Sequence, residues 1–519
     1  MTAFVITAAG RGSRIGRVGE SLHKCLVPLN GKAVLSHIID LAPTHARLVI
    51  CVGHMADQIR DYVELAHPQL DVMFIDVPNW NAPDGGPGAS LLAARDAVGD
   101  DHMIFTSCDT LWDRHQRLWS GPGASSWVAL ASIPPGTRVN RWTTVGTNAS
   151  GSHVVQINDK DENVPVISQF TYAWTGLGYI QDCDIDDFFE GIIHENAPDG
   201  ETQIPPGLQC VIGLEAKFIN WTDVGDEASY RAAVQRFTGY DFVKLDQATY
   251  VLPTEGRVVK FNANPEAVTH RVHRAASLEQ TVPKPIRGAR TDTLMAHPYV
   301  PGVTAYQAIQ RDGVEVTKKM LDWFRGAIFS SRNGAPLEDA THARELLTEF
   351  YRRKTLDRIN LLPADRLRQA AYGAVQYVNF DDLISRPVWG VPHGDFNYGN
   401  VIVTPGGEFV GIDWRENFAG SFFGDLRYDL GKMLAGTYVH WDRAQHGDLR
   451  PWHAGEEHAE LILDFAWELG IKREDVRTIA GLSLLNSAPL HAEPLCGVAV
   501  ARGVAVLTSF ELGDHIGGE

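Results

Sequence analysis

The 519-residue sequence is short of the features that tie a chain to a membrane, a secretory route or a nucleic acid. Its six cysteines, Cys25, Cys51, Cys108, Cys183, Cys210 and Cys496, are scattered, and none forms a C-x-x-C pair. That spacing excludes a zinc ribbon or a disulfide framework and fits a reducing compartment. No apolar run approaches the ~18 residues that a membrane-spanning helix needs. Met1-Thr2-Ala3-Phe4 leads straight into apolar residues, without a basic n-region or a cleavage site, so it does not read as a secretory signal. Cations are the minority charge, with 46 Lys and Arg against 64 Asp and Glu, a net charge of −18. That balance argues against a nucleic-acid surface, which needs basic stripes. It leaves nucleotides open as ligands, because a few local donors and metal ions suffice for them. There is no internal repeat, low-complexity tract or charge block. The expectation is a cytoplasmic protein with small-molecule partners, no nucleic acid, no membrane insertion, and room for a homo-oligomer.

What remains is a soluble globular composition, 44% hydrophobic and 21% charged, in a chain too long for one core. A prior of about 100–200 residues per domain gives two to four units. In the first ~235 residues, Phe4–Ala8, Leu48–Val52, Val72–Ile75, Met103–Thr106 and Val128–Ala131 read as buried strands. Leu35, Ile38 and Ile39, then Ile59, Tyr62 and Val63, have helical spacing between them. This β-α-β-α order predicts an α/β fold with a mostly parallel sheet flanked by helices. Residues 233–246 have no strand period and read as a joining stretch. Residues 248–261 read as a hairpin turning at Pro253-Thr254-Glu255-Gly256. From about 304 the pattern is helical, broken by a β segment near 390–413. The expected division is 1–236, a linker 237–247, a small lobe 248–303 and a large helical lobe 304–519.

Two segments carry chemistry. Ala8-Ala9-Gly10-Arg11-Gly12-Ser13-Arg14 follows the first strand. Its glycines let backbone N–H groups approach phosphate oxygens, and its arginines match a polyphosphate charge. Taken alone, these residues also suit an ordinary strand-to-helix turn. A dinucleotide-binding loop fits less well, because Gly10, Gly12 and Gly16 have the wrong spacing and no acidic residue ends a second strand. Lys24 follows, in Lys24-Cys25-Leu26-Val27-Pro28-Leu29. The pair of segments resembles the sugar-nucleotide pyrophosphorylases, with their A-A-G-x-G-x-R loop and P-K-x-L motif. One departure is His23, which stands where that family has proline. The resemblance implies a Rossmann-like mixed sheet of the GT-A type. It implies that Ala8, Ala9, Gly10, Gly12 and Gly86 bind nucleotide, with Arg14 and Lys24 neutralising the phosphates. Asp109 and Asp223 would be metal ligands, and Lys160 and Gly176 would contact the acceptor.

The second segment is Val391-Pro392-His393-Gly394-Asp395-Phe396-Asn397-Tyr398-Gly399-Asn400, with Asp413 thirteen residues later in Ile412-Asp413-Trp414. This H-G-D-x-x-x-x-N…I-D-W pattern resembles the aminoglycoside phosphotransferase and choline kinase family. The resemblance implies a two-lobed, protein-kinase-like α+β domain. Asp395 would be the base, and Asn400 and Asp413 would hold Mg²⁺ on ATP. His393 would brace the loop, and Lys260 would contact the ATP phosphates. Met295–Gly302 would be the adenine hinge. Asp425 and Asp429 read as structural. Two departures stand out. No glycine-rich loop precedes Lys260, and neither Glu266 nor Glu279 has the spacing of the glutamate that usually pairs with that lysine.

Together the halves imply a bifunctional transferase using Mg²⁺, ATP and a second NTP. The C-terminal half would phosphorylate a sugar, polyol or amino alcohol. The N-terminal half would then join that phosphate to a nucleoside monophosphate and release pyrophosphate. A choline- or ethanolamine-type kinase with a cytidylyltransferase is the alternative of the same class. Trp414, Phe418, Phe422, Phe423 and Trp441 follow the catalytic loop and would serve either a core or an aromatic cage. A nucleotide-binding regulatory protein with inactive sites is the alternative of another class.

Overall fold

The computed structural model describes residues 2–116, 118, 124–133, 142–158, 171–194, 200–238, 246–278, 281–288, 290–333, 340–444 and 446–509. The chain forms two compact units, Met1–Phe237 with Val243–Val251, and Thr238–Phe242 with Leu252–Glu519. No helix among the described residues is long and apolar enough to cross a membrane.

The first unit is built on a nine-stranded mixed sheet. Its path runs Val154–Asn158, Thr144–Thr147, Thr171–Ile180, His102–Ser107, Thr2–Ala8, Arg47–Val52 and Val72–Asp76. Trp127–Ala131 also pairs with Thr171–Ile180, and Glu215–Phe218 pairs with Trp127–Ala131. Thr2–Ala8 lies parallel to both of its neighbours, Arg47–Val52 and His102–Ser107. Thr171–Ile180 is antiparallel to His102–Ser107 and makes the sheet mixed. The apolar run of the first strand follows from its central position. Ala3 and Val5 pack into one face's cluster with Phe188 and Leu91, while Phe4 and Ile6 are equally buried on the other. The expected strand at 72–75 is present but not buried, with Met73 44% exposed. It is the edge of the sheet path, so only one neighbour covers it. The two expected helices form as Val34–Leu41 and Ala56–Ala66. The stretch read as a joining segment begins inside a helix, Glu227–Thr238, which is why it has no strand period.

In the second unit, Arg257–Asn262 pairs with Leu294–Pro298. Lys260 lies opposite Met295 in an antiparallel register. Met295–Pro298, the first part of the segment expected to act as a hinge, therefore lies in the strand paired with that of Lys260. Beyond it the unit is mainly helical. Helix Arg427–Tyr438 is buried on nearly every side, with Leu430, Met433 and Leu434 in the main core. Gly431 lets helix Arg473–Ser487 approach closely, since a Cβ there would stand 2.4 Å from Ile479. Asp425 and Arg427, both buried, form an ion pair of 2.6 Å, and Arg427 also reaches Asp475 at 2.7 Å. This network fixes the start of the helix that carries Asp429 and Lys432.

Candidate functional site

Each unit brings its chemistry-bearing residues together at the end of a strand. In the first unit, Ala8 ends the central strand and Ala9 follows it, and the Ala9 carbonyl accepts from the His54 N–H at 2.9 Å. Gly10 and Arg11 are exposed beyond it, and Arg14 is exposed one turn further on. Gly12 has φ +63, and a Cβ there would meet the Lys24 side chain at 2.8 Å. The stem of Lys24 thus lies on the glycine loop. Its ammonium reaches Asp109 Oδ2 at 2.9 Å. Burial is the largest influence on the Lys24 ammonium and opposes its charge, but Asp109 outweighs it and the pKa is raised. Burial likewise works to raise the Asp109 carboxyl, and Lys24 overcomes it, so the carboxylate is held below its usual range.

Asp223 comes to the same place through a short antiparallel ladder, Trp221–Asp223 against Thr110–Trp112, in which Asp223 faces Thr110. Asp109 Oδ2 and Asp223 Oδ1 both approach the point where a Cβ on Gly225 would stand, each at 3.0 Å. The Gly225 N–H donates to Asp223 Oδ1 at 2.8 Å. Two carboxylates therefore converge over a residue whose missing side chain leaves them room. Gly86, with φ +127, caps helix Pro87–Ala93, and a Cβ there would stand 2.7 Å from the Thr202 carbonyl. Gly176, with φ +82, abuts Ser107 in the same way at 2.6 Å, two residues before Asp109. Lys160 lies outside the described residues.

His23 compensates for the missing proline. Its Nδ1 accepts from the Cys25 N–H at 3.2 Å and its Nε2 lies 3.2 Å from the Gly10 carbonyl. Burial first, then the Lys24 charge, push its pKa down to about 3, so the ring is neutral and Nε2–H donates to Gly10. The ring ties the glycine loop to the turn that carries Lys24.

In the second unit the loop 393–400 is held from below. The Asp429 carboxylate accepts from the His393 N–H at 2.6 Å and the Gly394 N–H at 2.8 Å. Arg274 is fully buried and donates to the carbonyls of Pro392 and Arg415. Asp395 Oδ1 pairs with Lys432 at 2.7 Å, and Asp395 Oδ2 accepts from Asn400 Nδ2 at 2.9 Å. Partial burial works to raise the Asp395 carboxyl, and Lys432 overcomes it, so the group is held below the ordinary carboxylate range. The hairpin Val401–Val403 with Phe409–Gly411 sets Ile412 against Asn400, whose carbonyl accepts from Ile412 N–H at 2.8 Å. Asp413 follows with φ +59, a conformation that costs a non-glycine residue about 1 kcal/mol or more and turns its side chain off the strand. Lys260, 3% exposed, forms an ion pair with Asp413. Glu266 sits in the exposed first turn of helix Pro265–Ser277, while Glu279 is outside the described residues.

His393 is buried, with its ring 5.9 Å from that of Phe396, and its Nδ1 accepts weakly from the Asp395 N–H at 3.4 Å. The aromatic residues after the loop are largely core. Trp414 and Phe418 are at most 1% exposed, and Phe418 stacks on Phe350 at 3.6 Å. Sequence reasoning missed Lys432, Arg415, Lys354 and Arg358 near Asp395. Lys432 alone left a signal, one helical turn after Asp429. Arg415 stands two residues after Asp413, while Lys354 and Arg358 reach the site through packing of the helix Lys354–Asn360.

Both donor sets fit Mg²⁺. Asp109 with Asp223, and Asp413 with Asn400, offer hard oxygen ligands in the number that Mg²⁺ takes from protein when phosphates and waters complete its shell. Among the described residues there is no group of three or more His, Cys, Asp or Glu suited to a metal cage.

Residues 4–132 match the family described as MobA-like NTP transferase domain, and residues 244–466 match the phosphotransferase enzyme family. The chain thus carries a nucleotidyltransferase-type domain followed by a phosphotransferase-type domain, as the two motif resemblances implied. Curated relatives are proteins named bifunctional protein GlmU. The one from Methanococcus maripaludis is 26% identical over 278 residues, covering 50% of this chain and 62% of that protein. The one from Ralstonia pickettii is 46% identical over 110 residues, 21% of this chain and 19% of that protein. The chain spans less than two thirds of either relative's length. Solved structures that align include a UDP-glucose pyrophosphorylase from Acinetobacter baumanii, 17% identical, with a TM-score of 0.36 over 46% of this chain and 93% of that one. A UDP-glucose pyrophosphorylase complexed with UDP-glucose aligns at 16% identity and a TM-score of 0.38, over 46% and 98%.

Proposed function

We propose that the chain is a bifunctional transferase in which the C-terminal unit makes a phosphate ester and the N-terminal unit activates it. In the first step a hydroxyl attacks the γ-phosphorus of ATP. An O–P bond forms, the bond to ADP breaks, and the hydroxyl proton passes to Asp395. In the second step an oxygen of that ester attacks the α-phosphorus of an NTP. The product is a nucleoside diphosphate derivative, and pyrophosphate leaves. The observation that supports this reading best is the same pairing in both units. A lysine laid along a strand or glycine loop meets the carboxylate expected to hold the metal, Lys24 with Asp109 and Lys260 with Asp413.

The protein's own groups have distinct tasks. Lys432 keeps Asp395 ionised, and Asn400 fixes its orientation, so the carboxylate is ready to take a proton. Asp429 and Arg274 set the loop's height. Gly10 and Gly12 offer backbone N–H groups to phosphates, and Arg14 and Lys24 neutralise the charge that grows on departing pyrophosphate. The second step needs no protein base, because the attacking phosphate is already an anion. Mg²⁺, when bound at Asp109 and Asp223 or at Asn400 and Asp413, would supply polarisation of the reacting phosphorus. The test is a pair of assays on the full chain, ATP-dependent ester formation and NTP-dependent pyrophosphate release. The reading expects Asp395→Asn to abolish the first and spare the second, with Asp109→Asn doing the reverse. Loss of both activities in either variant would contradict it.

A further inference from the structure

Next to Arg415, which packs on the loop carrying Asp395, lies a cavity of about 370 Å³ whose wall holds three cations and three acids. Lys354 and Arg358 enter it from the helix Lys354–Asn360, and Arg415 enters from the loop after Asp413. Arg415 packs on Gly394, the residue before Asp395, within 2.9 Å of where a Cβ would stand. Among the described residues none of these three cations has a carboxylate within ion-pair distance. The acids on the same wall are occupied or peripheral. Glu349 pairs with Arg353 at 3.1 Å, Glu416 pairs with Arg271 at 3.2 Å, and Asp357 is exposed at the rim. Asp395 and Glu416 favour the Arg415 charge at longer range, whereas burial first and then neighbouring cations hold Lys354 and Arg358 down, a cost that a bound anion would relieve.

The aromatic wall is also committed. Phe350 has Phe418 stacked on it at 3.6 Å, Lys354 Nζ over its ring at 4.2 Å and Arg415 at 5.8 Å from its centroid. A quaternary ammonium would need such a ring face and would have to enter among three positive charges. Burial first, and then Arg415, Lys432 and Arg358, hold the Lys354 ammonium well below its usual pKa, the expected effect of a cation kept beside others.

We infer that the acceptor of the C-terminal site is an oxyanion-bearing alcohol, whose carboxylate, phosphate or phosphonate group binds Lys354, Arg358 and Arg415 while its hydroxyl faces Asp395. This rests on the kinase reading of the same site. Arginine's planar fork suits such oxyanions. The site would select against cationic alcohols by repulsion as well as by lack of a cage.

The test uses the full chain, ATP and matched acceptors: glycerate and gluconate, glycerol and glucitol, choline and ethanolamine. The acids are expected to show kcat/KM at least about tenfold above the others. Arg358→Gln and Lys354→Gln should raise KM for the acid by about ten- to a hundredfold while KM for ATP holds, and Lys354→Arg should restore it. Choline or ethanolamine matching the acids, or the variants raising KM for ATP in place of the acceptor, would overturn the inference. Calorimetric titration with gluconate separates it from the kinase reading. Phosphoryl transfer to none of the acceptors, with gluconate binding that Arg358→Gln abolishes, would sink the kinase reading and uphold the anion site. Absence of gluconate binding to the wild-type chain would sink the anion site.

Discussion

At the scale of single residues, the two sites depend on side chains whose positions are set by what stands next to them. Gly225 is the sharpest case. A Cβ there would stand 3.0 Å from both Asp109 and Asp223, so Gly225→Ala is expected to shift the carboxylates by a few tenths of an ångström. Its expected effect is a loss of nucleotidyl transfer of roughly tenfold or more, partly recovered at high Mg²⁺, with ATP-dependent phosphorylation unchanged. A titration of both activities against Mg²⁺ checks this. Lys24→Met should cost nucleotidyl transfer about 10²–10³-fold, the range for removing one group that stabilises developing charge. The residues that carry these sites were legible where a motif kept them in sequence, as in Gly10 to Lys24 and His393 to Asn400. His23 was visible only as a departure. Its role needed the fold, because its partner Gly10 is thirteen residues away and the ring's neutrality comes from burial.

At the scale of elements, the strands and helices were legible from apolar spacing, and their partners were not. The central parallel strands read clearly because burial on both faces makes continuous apolar runs. The edge position of Val72–Asp76 did not, since its composition resembles theirs while its exposure depends on sheet order. Helix Arg427–Tyr438 shows the same limit. Its sequence marks Asp429 as structural, and the structure shows what it supports, the N–H groups of His393 and Gly394. Burial pushes the Asp429 pKa up to about 7 even against those two hydrogen bonds. Asp429→Asn replaces one acceptor oxygen with a donor facing a donor. At about 1.5–3 kcal/mol for hydrogen bonds to a charged group, a ten- to hundredfold fall in kcat for phosphoryl transfer is expected. KM for ATP should move little, since Asp429 touches the loop and not the nucleotide. Steady-state kinetics give the kcat and KM, and an active-site titration with a thermal melt of the same variant separates a slower folded enzyme from a smaller folded fraction.

At the scale of the whole molecule, both units share an acid weakness. Burial is the leading cause that lowers His23 to about 3, and His297, His393 and His440 to about 4. Each folded pKa lies below the unfolded value of 6.5, so the unfolded chain takes up the protons first. Stability is therefore full above about pH 6.5 and is lost as pH falls from there toward 4. Asp429 works in the opposite sense over part of that window, against four imidazoles. Melting temperature should decline steadily from pH 7 to pH 5, and a flat or rising profile would refute this. The two domain types and their motifs were readable in sequence. The gathering of Lys354, Arg358 and Arg415 around one cavity was not, because helix Lys354–Asn360 and the loop after Asp413 lie far apart in the chain.

The most direct measurement of the central claim is mass spectrometry of the products formed by the full chain from a mixed pool of alcohols, ATP and NTPs. A nucleoside diphosphate derivative of an alcohol should appear only when ATP is present. Asp395→Asn should remove it, and adding the phosphorylated alcohol should rescue that variant. A nucleotide-linked product formed without ATP, or one that persists in Asp395→Asn, would contradict the two-step sequence.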